Sequence, residues 1–479
     1  MISLFRSAHK PTTLFFTILW SLLCFATLSL GGPAASQDFP VYSVISKNVQ
    51  FWEKIYGYYS LKQAVIHDSE DLSKIYQVVS LVDLEIPGAQ KQNTIIQKQA
   101  CEKYRLILTK LADHPPSSPE EQRVAAIFTG KNSKKEMALA AGNVRSQAGQ
   151  KERFLSGVAN SGAYLAEIKN ILRSYGLPEE LAHLPHVESS FNIKAYSRIG
   201  AAGLWQFTRE TGKQYLTIDY TVDERLDPIA STHAAAKYLA KSFRSLNNWP
   251  LAITSYNYGL GGMMRAANEE GTYEHVFANY NKGYFKFASK NFYSEFLAAR
   301  NLATFLEKNN NAGIAPAAKH LYLKLPGYVH IREIARHFAL PVEMIEELNP
   351  ALRPPVISGE KFIPKGYVLR LPAGGKTSKL MASLPPSLFK SGQKASLTHR
   401  VQKGDTANSI ARLHKISVKS LIQANNLDKF ATVHLGQDLR IPGQVHVTAD
   451  NDGKGKSNST RINIQKNVTT KEARPLKEA

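Results

Sequence analysis

Two cysteines in 479 residues is the first shortage, Cys24 and Cys101. Cys24 lies inside an apolar N-terminal run. A chain cleaved after that run keeps only Cys101, so no internal disulfide can form even in an oxidising compartment. Cys101 stands among Lys98, Lys103 and Tyr104 without a catalytic arrangement and reads as a thiol with no role. Acids are the second shortage: 39 Asp and Glu against 60 Lys and Arg, a net charge of +21. No nucleic-acid motif accompanies that charge, so nucleic acid is not the expected partner. An anionic cell-envelope surface is, with an attraction that weakens with salt. Metal-ligand spacing is missing too. His183, His186 and Glu188 match no standard zinc motif, and neither metal nor cofactor is expected. Large apolar residues are few from 444 to 479, which reads as a disordered basic tail. The most informative gap is local: no Asp or Glu stands between Glu188 and Glu210.

That gap opens on the stretch around which the chain is organised, Glu188-Ser189-Ser190-Phe191, followed by Gly200-Ala201-Ala202-Gly203-Leu204-Trp205-Gln206-Phe207. Pro178, Glu179 and Glu180 form a helix-start signal. Leu181, Leu184 and Glu188 then share a face, with Pro185 expected to bend or interrupt the helix. A carboxylic acid half-buried among leucines keeps its proton to higher pH, as a general acid must. A solvated Glu at a helix end is the plain alternative. The downstream segment offers Ser, Asn, Gln, Tyr, Trp and glycine backbone. Uncharged hydrogen bonders and aromatic faces suit a neutral polysaccharide.

These residues carry a resemblance. Glu188-Ser-Ser-Phe, Ala195, Ser197, Gly200-Ala201, Gly203-Leu204 and Gln206 resemble the signature of family 1 (soluble-lysozyme-like) lytic transglycosylases. Ser255-Tyr256-Asn257-Tyr258-Gly259 is similar to the family's Ala-Tyr-Asn-Ala-Gly motif. Asp227-Pro228 and Ser231 to Leu239 are similar to its intervening helix. Within the family the match points to the membrane-bound lytic murein transglycosylase D branch, over roughly residues 150 to 305. Trp205 replaces a usual Met, and Ser255 a usual Ala. Ala288 to Glu295 stands where the family has Glu-Thr before Asn-Tyr-Val-Pro-Lys, so no role is carried to Phe292 or Tyr293.

The resemblance implies that Glu188 protonates the glycosidic oxygen between N-acetylmuramic acid and N-acetylglucosamine. The same group, ionised, then takes the proton of the muramoyl 6-hydroxyl. The substrate's acetamido group replaces a second carboxylate, and the product is a 1,6-anhydro sugar. By resemblance Ser197, Gly203, Gln206, Tyr256 and Asn257 bind substrate. The gap in acids fits a one-carboxylate site, although Asp219, Asp223, Glu224 and Asp227 could fold nearby.

Length alone suggests roughly three domains. Residues 1–36 read as a signal peptide, with Arg6 and Lys10 before an apolar run from Leu14 to Leu30 and Ala34-Ala35-Ser36 after it. The run is also long enough for an uncleaved anchor. Leu23 before Cys24 disfavours a lipoprotein. Export to the periplasm or cell envelope, free or membrane-associated, follows in each version. Residues 37–150 read as a helical N-terminal extension, with Trp52, Ile55, Tyr58 and Tyr59 as packing residues. The lysozyme-like catalytic domain spans 151–312.

A strand, helix, helix, strand order then occurs twice. The first copy, 321–372, lacks Gly-Asp-Thr and is a degenerate module. The second, 398–443, carries Gly404-Asp405-Thr406, Asn425 and Ile441-Pro442. It resembles a LysM domain, which implies glycan binding by Gly404, Asp405, Thr406 and Asn425. A purely structural βααβ domain is the alternative. Residues 373–396, rich in Gly, Ser, Lys and Pro, read as a flexible linker that tethers glycan near the site.

The expected whole is an α+β multidomain chain: a mainly α-helical lysozyme-like domain with a helical extension, then small βααβ modules. Its expected function is peptidoglycan lytic transglycosylase, with peptidoglycan glycan strands as partner. A hydrolytic muramidase and a catalytically silent peptidoglycan scaffold are the rivals; intact Glu188, Gln206 and Asn257 argue against the scaffold.

Overall fold

The structure, a computed structural model, describes residues 38–309, 313–317, 319–394, 398–428 and 430–442. The signal segment and the basic tail expected at the two ends lie outside the described residues. Helices dominate, with three small antiparallel sheets. Among the described residues no helix is long and apolar enough to cross a membrane.

The N-terminal extension is not purely helical. Strands β1 (Gln63–Asp68), β2 (Ile75–Ser80) and β3 (Val144–Ala148) form a sheet in the order β2-β1-β3. Central β1 is buried along nearly its whole length, and such a strand shows a continuous apolar run rather than alternation. The long Ala89–Asp113 helix covers the sheet with Tyr104, Leu108 and Leu111.

The extension is also fused to the next domain. Its first helix, Ser46–Gly57, lies along the Phe287–Lys308 helix, and Trp52 and Ile55 enter the same core as Leu184, Trp205 and Phe296. Trp52, Ile55 and Tyr59 pack as their spacing suggests, while Tyr58 is exposed. Polar pairs lock the two helices. Asn48 donates to the Asn291 amide oxygen at 2.8 Å, Asn301 to Glu53 at 3.0 Å.

The repeated βααβ order is visible in both copies. In the first, β4 (His320–Lys324) pairs with β5 (Val368–Pro372), and the helices Ile331–Phe338 and Val342–Leu348 lie between. In the second, β6 (Thr398–Arg400) pairs with β7 (Asp438–Arg440) around the helices Ala407–Leu413 and Val418–Asn425. One asparagine clasps each copy. Asn349 donates to the carbonyls of Ile345 and Arg370 and accepts from Arg370 N–H at 2.8 Å. Asn425 does the same with Leu421 and Arg440. Without the amide, a helix C-terminal carbonyl and a strand N–H would be left unpaired.

Residues 373–396 correct the flexible-linker expectation. They contain a helix, Gly375–Ala382, and a 3₁₀ turn, Pro386–Leu388. Leu380, Met381, Leu384, Leu388 and Phe389 pack on the first module's core. Lys390 and Tyr328 exchange backbone hydrogen bonds at 2.7 and 3.1 Å. The Gly, Ser, Lys and Pro content hid a set of apolar residues at helical spacing, which outweigh composition once they find a surface.

Candidate active site

Glu188 is placed by two short helices rather than one. A 3₁₀ turn, Glu179–His183, passes into the α-helix Leu184–Ser189, with Pro185 in its first turn. There the missing proline N–H leaves no bond unmade, so the interruption expected at Pro185 is a change of helix type. The helix ends because Ser190 and Phe191 take left-handed backbone angles, φ 49° and 54°. Non-glycine residues are uncommon there and need support. The support is close: Phe191 is buried, and Ser189 donates to the Leu204 carbonyl at 2.8 Å. Gly157 lets the Lys151–Ser161 helix approach, since a Cβ there would lie 2.7 Å from the Ser190 carbonyl oxygen.

The loop after Glu188 is braced by backbone bonds. Ser197 N–H donates to Ala201 O at 2.9 Å, while Ser197 Oγ accepts from Ala201 N–H at 2.9 Å. Gly203 has φ 78°, and a Cβ on it would fall 1.7 Å from the Arg225 carbonyl oxygen, so only glycine fits. Gln206 donates through Nε2 to the carbonyls of Gly203 (2.8 Å) and Ala195 (3.3 Å). Across from it, Tyr256 Oη donates to the Trp205 carbonyl at 2.9 Å. Asn257, exposed at the end of the Trp249–Tyr258 helix, accepts from Ser289 Oγ at 2.7 Å.

Aromatic faces for a sugar are fewer than the sequence suggests. Trp205 and Phe207 are buried, and the Trp205 indole N–H donates to Thr232 Oγ1 at 2.9 Å. Their large apolar area is worth more inside the core than on a groove wall. Phe292 and Tyr293 are also core residues, and Tyr293 Oη reaches the Pro40 carbonyl.

A second carboxylate, absent from the sequence reading, joins Glu188. Glu295 lies on the Phe287–Lys308 helix, half-buried like Glu188, 3.5 Å from Tyr56 Oη. Burial, and then the neighbouring Glu295 charge, push the Glu188 carboxyl up to about 8. Burial likewise pushes Glu295 up to about 8, against the pull of Tyr56 and Arg145. Burial raises Tyr56 and Tyr256 well above the usual phenol range, and the Glu188 charge adds to both. No cation offsets the pair at close range among the described residues. Signals for Glu295 and Tyr56 existed only as an acid and a tyrosine within otherwise ordinary helical patterns.

His183 and His186 group with Glu307 rather than with Glu188. Their ligating atoms lie within 4.8 Å of one another. Burial pushes His186 down to about 3 and His183 well below the usual range. Positive charge from Lys169 and Arg300 acts on His183, which opposes a cation there. Phe154 and Phe191 pack the His186 ring from 5.2 and 4.5 Å. Cys101 is free and half-buried; burial pushes its thiol up, away from reactivity.

In the second module the residues assigned to glycan are occupied within the fold. Asp405 pairs with His399 Nε2 at 3.0 Å and accepts from Gln402 N–H at 2.8 Å. Thr406 caps the Ala407–Leu413 helix in a capping box. Asn425 is the clasp described above. Gly404 has φ 87° at the loop's turn.

Residues 166–283 match the family described as Transglycosylase SLT domain, and 399–442 match the LysM domain family. The chain carries a transglycosylase SLT domain and a LysM domain. Membrane-bound lytic murein transglycosylase D of Escherichia coli (strain K12) is 28% identical over 298 residues, 58% of this chain and 63% of that protein. The chain therefore spans less than two thirds of that relative. Membrane-bound lytic murein transglycosylase F of Pseudoalteromonas translucida (strain TAC 125) is 32% identical over 120 residues, 21% of this chain and 24% of that one. A solved inactive mutant of lytic transglycosylase Slt from Pseudomonas aeruginosa is 19% identical, with TM-score 0.26, covering 32% of this chain and 25% of that one. Glu188, Ser197, Gly203, Gln206, Tyr256 and Asn257 all fall inside the SLT segment, whereas Glu295 and Tyr56 fall outside it.

Proposed function

We propose that this protein is an exported lytic transglycosylase that cleaves peptidoglycan strands in the periplasm or cell envelope. The observation that carries the reading is the desolvated setting of Glu188, at the end of its helix and beside the Glu295 carboxylate. Within the SLT segment, a carboxyl held up to about 8 ends a short helix beside the Gly203–Gln206 loop. At neutral pH it has a proton to give.

The steps follow from that proton. Glu188 passes it to the oxygen of the N-acetylmuramic acid to N-acetylglucosamine β-1,4 bond, and the C1–O bond breaks. The substrate's acetamido oxygen supports the developing positive charge at C1. Glu188, now a carboxylate, accepts the proton of the muramoyl 6-hydroxyl as O6 bonds to C1. The result is a 1,6-anhydro end, with no water consumed and Glu188 restored. Tyr256, which feels the Glu188 charge, and Asn257, the next residue, are assigned to the acetamido group. Ser197, Gly203 and Gln206 line the strand's path.

Glu295 favours one second reading, hydrolysis. Two carboxyls close enough to feel one another are what a muramidase needs, one as acid and one to activate water. Mass spectrometry of fragments released from purified sacculi separates the two. Non-reducible fragments one water lighter, absent with Glu188→Gln, are the expected result. Reducible full-mass fragments, lost with either Glu188→Gln or Glu295→Gln, would establish hydrolysis.

A further inference from the structure

A hairpin of the catalytic domain seats the LysM domain. Residues 218–223 turn tightly because Asp219 Oδ1 accepts from Thr221 N–H (2.7 Å), Thr221 Oγ1 (2.8 Å) and Val222 N–H (2.9 Å). Tyr220 at the tip is only 3% exposed. Its hydroxyl donates to Glu360 of the first module (3.0 Å) and accepts from Arg400 N–H of the second (3.3 Å), and its ring lies 4.2 Å from that of His399. Val222 pairs with Leu352 and joins the first module's core. One side chain thus holds three units together.

This seat brings the Gly404-Asp405-Thr406 loop against Tyr196 and Arg209, in and just after the loop that follows Glu188. Lys403 Nζ rests 4.2 Å over the ring of Tyr196, the residue before Ser197. A Cβ on Gly404 would come 3.6 Å from Arg209 Nη1. Tyr196 is 40% exposed, and Arg198 and Lys403 are exposed beside it. Among the described residues no carboxylate pairs with Lys403, Arg209 or Arg198, whereas two of the three buried arginines, Arg225 and Arg370, are paired, and the third, Arg353, donates to the Asp219 carbonyl.

We propose that this seam, formed by Tyr196, Arg209 and Lys403, is a second binding site, one for carboxylates carried on side branches of the same glycan strand. The inference rests on the peptidoglycan reading above, and adds that the glycan strands of peptidoglycan carry peptide branches ending in carboxylates. The strand's sugars run from Glu188 past Ser197, and the next stem reaches the seam, where an unpaired guanidinium and ammonium offer charge-assisted hydrogen bonds. With Tyr220 holding the two units together, the Glu188 site and the seam engage one strand at once, which multiplies their affinities.

The test uses the full chain carrying Glu188→Gln, so that bound strands are not consumed. Binding is measured for strands bearing stems and for the same strands with stems removed by an amidase. Stem-bearing strands should bind roughly tenfold more tightly, a ratio that falls as salt rises. Lys403→Glu and Arg209→Glu should each bring the ratio near one. Tyr220→Ala, which leaves both charges intact but frees the seat, should do the same. A ratio of one in the parent, or a ratio untouched by the charge reversals, overturns the seam. A ratio kept by Tyr220→Ala overturns the Tyr220 seat on which it depends. Failure of the transglycosylase reading shows separately, as reducible products or none from the unmodified chain, whatever the stems.

Discussion

Glu188 and Glu295 sit half-buried between Tyr56 and Tyr256 without an opposing cation in contact. Asp223, buried, and Asp227, half-buried, are instead compensated by arginines. Arg225 grips Asp223 through two bonds, at 2.9 and 2.7 Å. Arg370 reaches both oxygens of Asp227 at 3.1 and 3.0 Å, while Asp227 also caps the Pro228–Leu246 helix through Ile229 and Ala230 N–H. Of the two, Asp227 joins units, since Arg370 belongs to the first module, while Asp223 and Arg225 brace one turn. The Glu188–Glu295 pair has no such cation; Glu295 reaches Tyr56 of the extension at 3.5 Å, and burial pushes both carboxyls up to about 8. Buried acids thus do two jobs here, and the nearest cation decides which. Uncompensated burial lowers stability, a cost usual where chemistry is done.

The sharpest way to break the contrast is to remove each kind of acid function and compare losses. Glu188→Gln should lower release of anhydro fragments on the order of 10³-fold, read by mass spectrometry, with the thermal transition retained. Next in size, Arg370→Met strands Asp227 without its partner and should cost about 3 kcal/mol of stability, read by denaturant unfolding. Retained stability there would mean the seat does not depend on that ion pair.

The opposite sign is expected at the site. Both glutamates keep a proton in the folded chain from their ordinary 4.5 up to about 8. Between those values the unfolded chain binds fewer protons, so stability falls as pH rises through the window and levels above it. Glu188→Gln should therefore match the parent below pH 4.5 and exceed it by ~2 kcal/mol at pH 7. A variant that is less stable at pH 7 would show the pocket is compensated after all.

The smallest effect is a shift rather than a loss. Activity should hold at neutral pH and decline as pH rises through about 8, where Glu188 ionises. Glu295→Gln removes the neighbouring charge, so this decline should move to lower pH by roughly one unit. An unmoved profile would separate Glu295 from the acid.

The two βααβ copies extend the lesson. Both keep the asparagine clasp, Asn349 and Asn425, yet only the second keeps Gly404-Asp405-Thr406. The first has given its surface to the catalytic domain, through Arg353 N–H to the Thr221 carbonyl at 2.9 Å and Tyr322 Oη to Glu167 at 2.9 Å. The second meets the catalytic domain through Tyr220, Lys403 and Gly404, and its loop stays largely exposed.

Much of the site was legible because it is local. Helix-start chemistry at Pro178, the glycine demanded at 203 and the acid at 188 are encoded within a few residues, and so is the repeated strand-helix-helix-strand order. Composition misled where a few apolar residues outweigh it: Leu380, Met381 and Phe389 made a packed segment of the expected linker. Trp205 and Phe207 read as sugar-facing aromatics until the core claimed them, because sequence spacing does not tell an inner wall from an outer one.

The sequence by itself determined that a lone acid would end a short helix beside a glycine-braced loop, and that two small modules would follow. Only the tertiary structure decided what surrounds that acid. Tyr56 meets Glu295 across 239 residues, and Asp227 meets Arg370 across 143. A pairing over such separations leaves no periodic trace in either partner's own segment. Whether a carboxyl is neutralised by a cation or left to hold its proton depends on which distant side chain the packed core delivers to it.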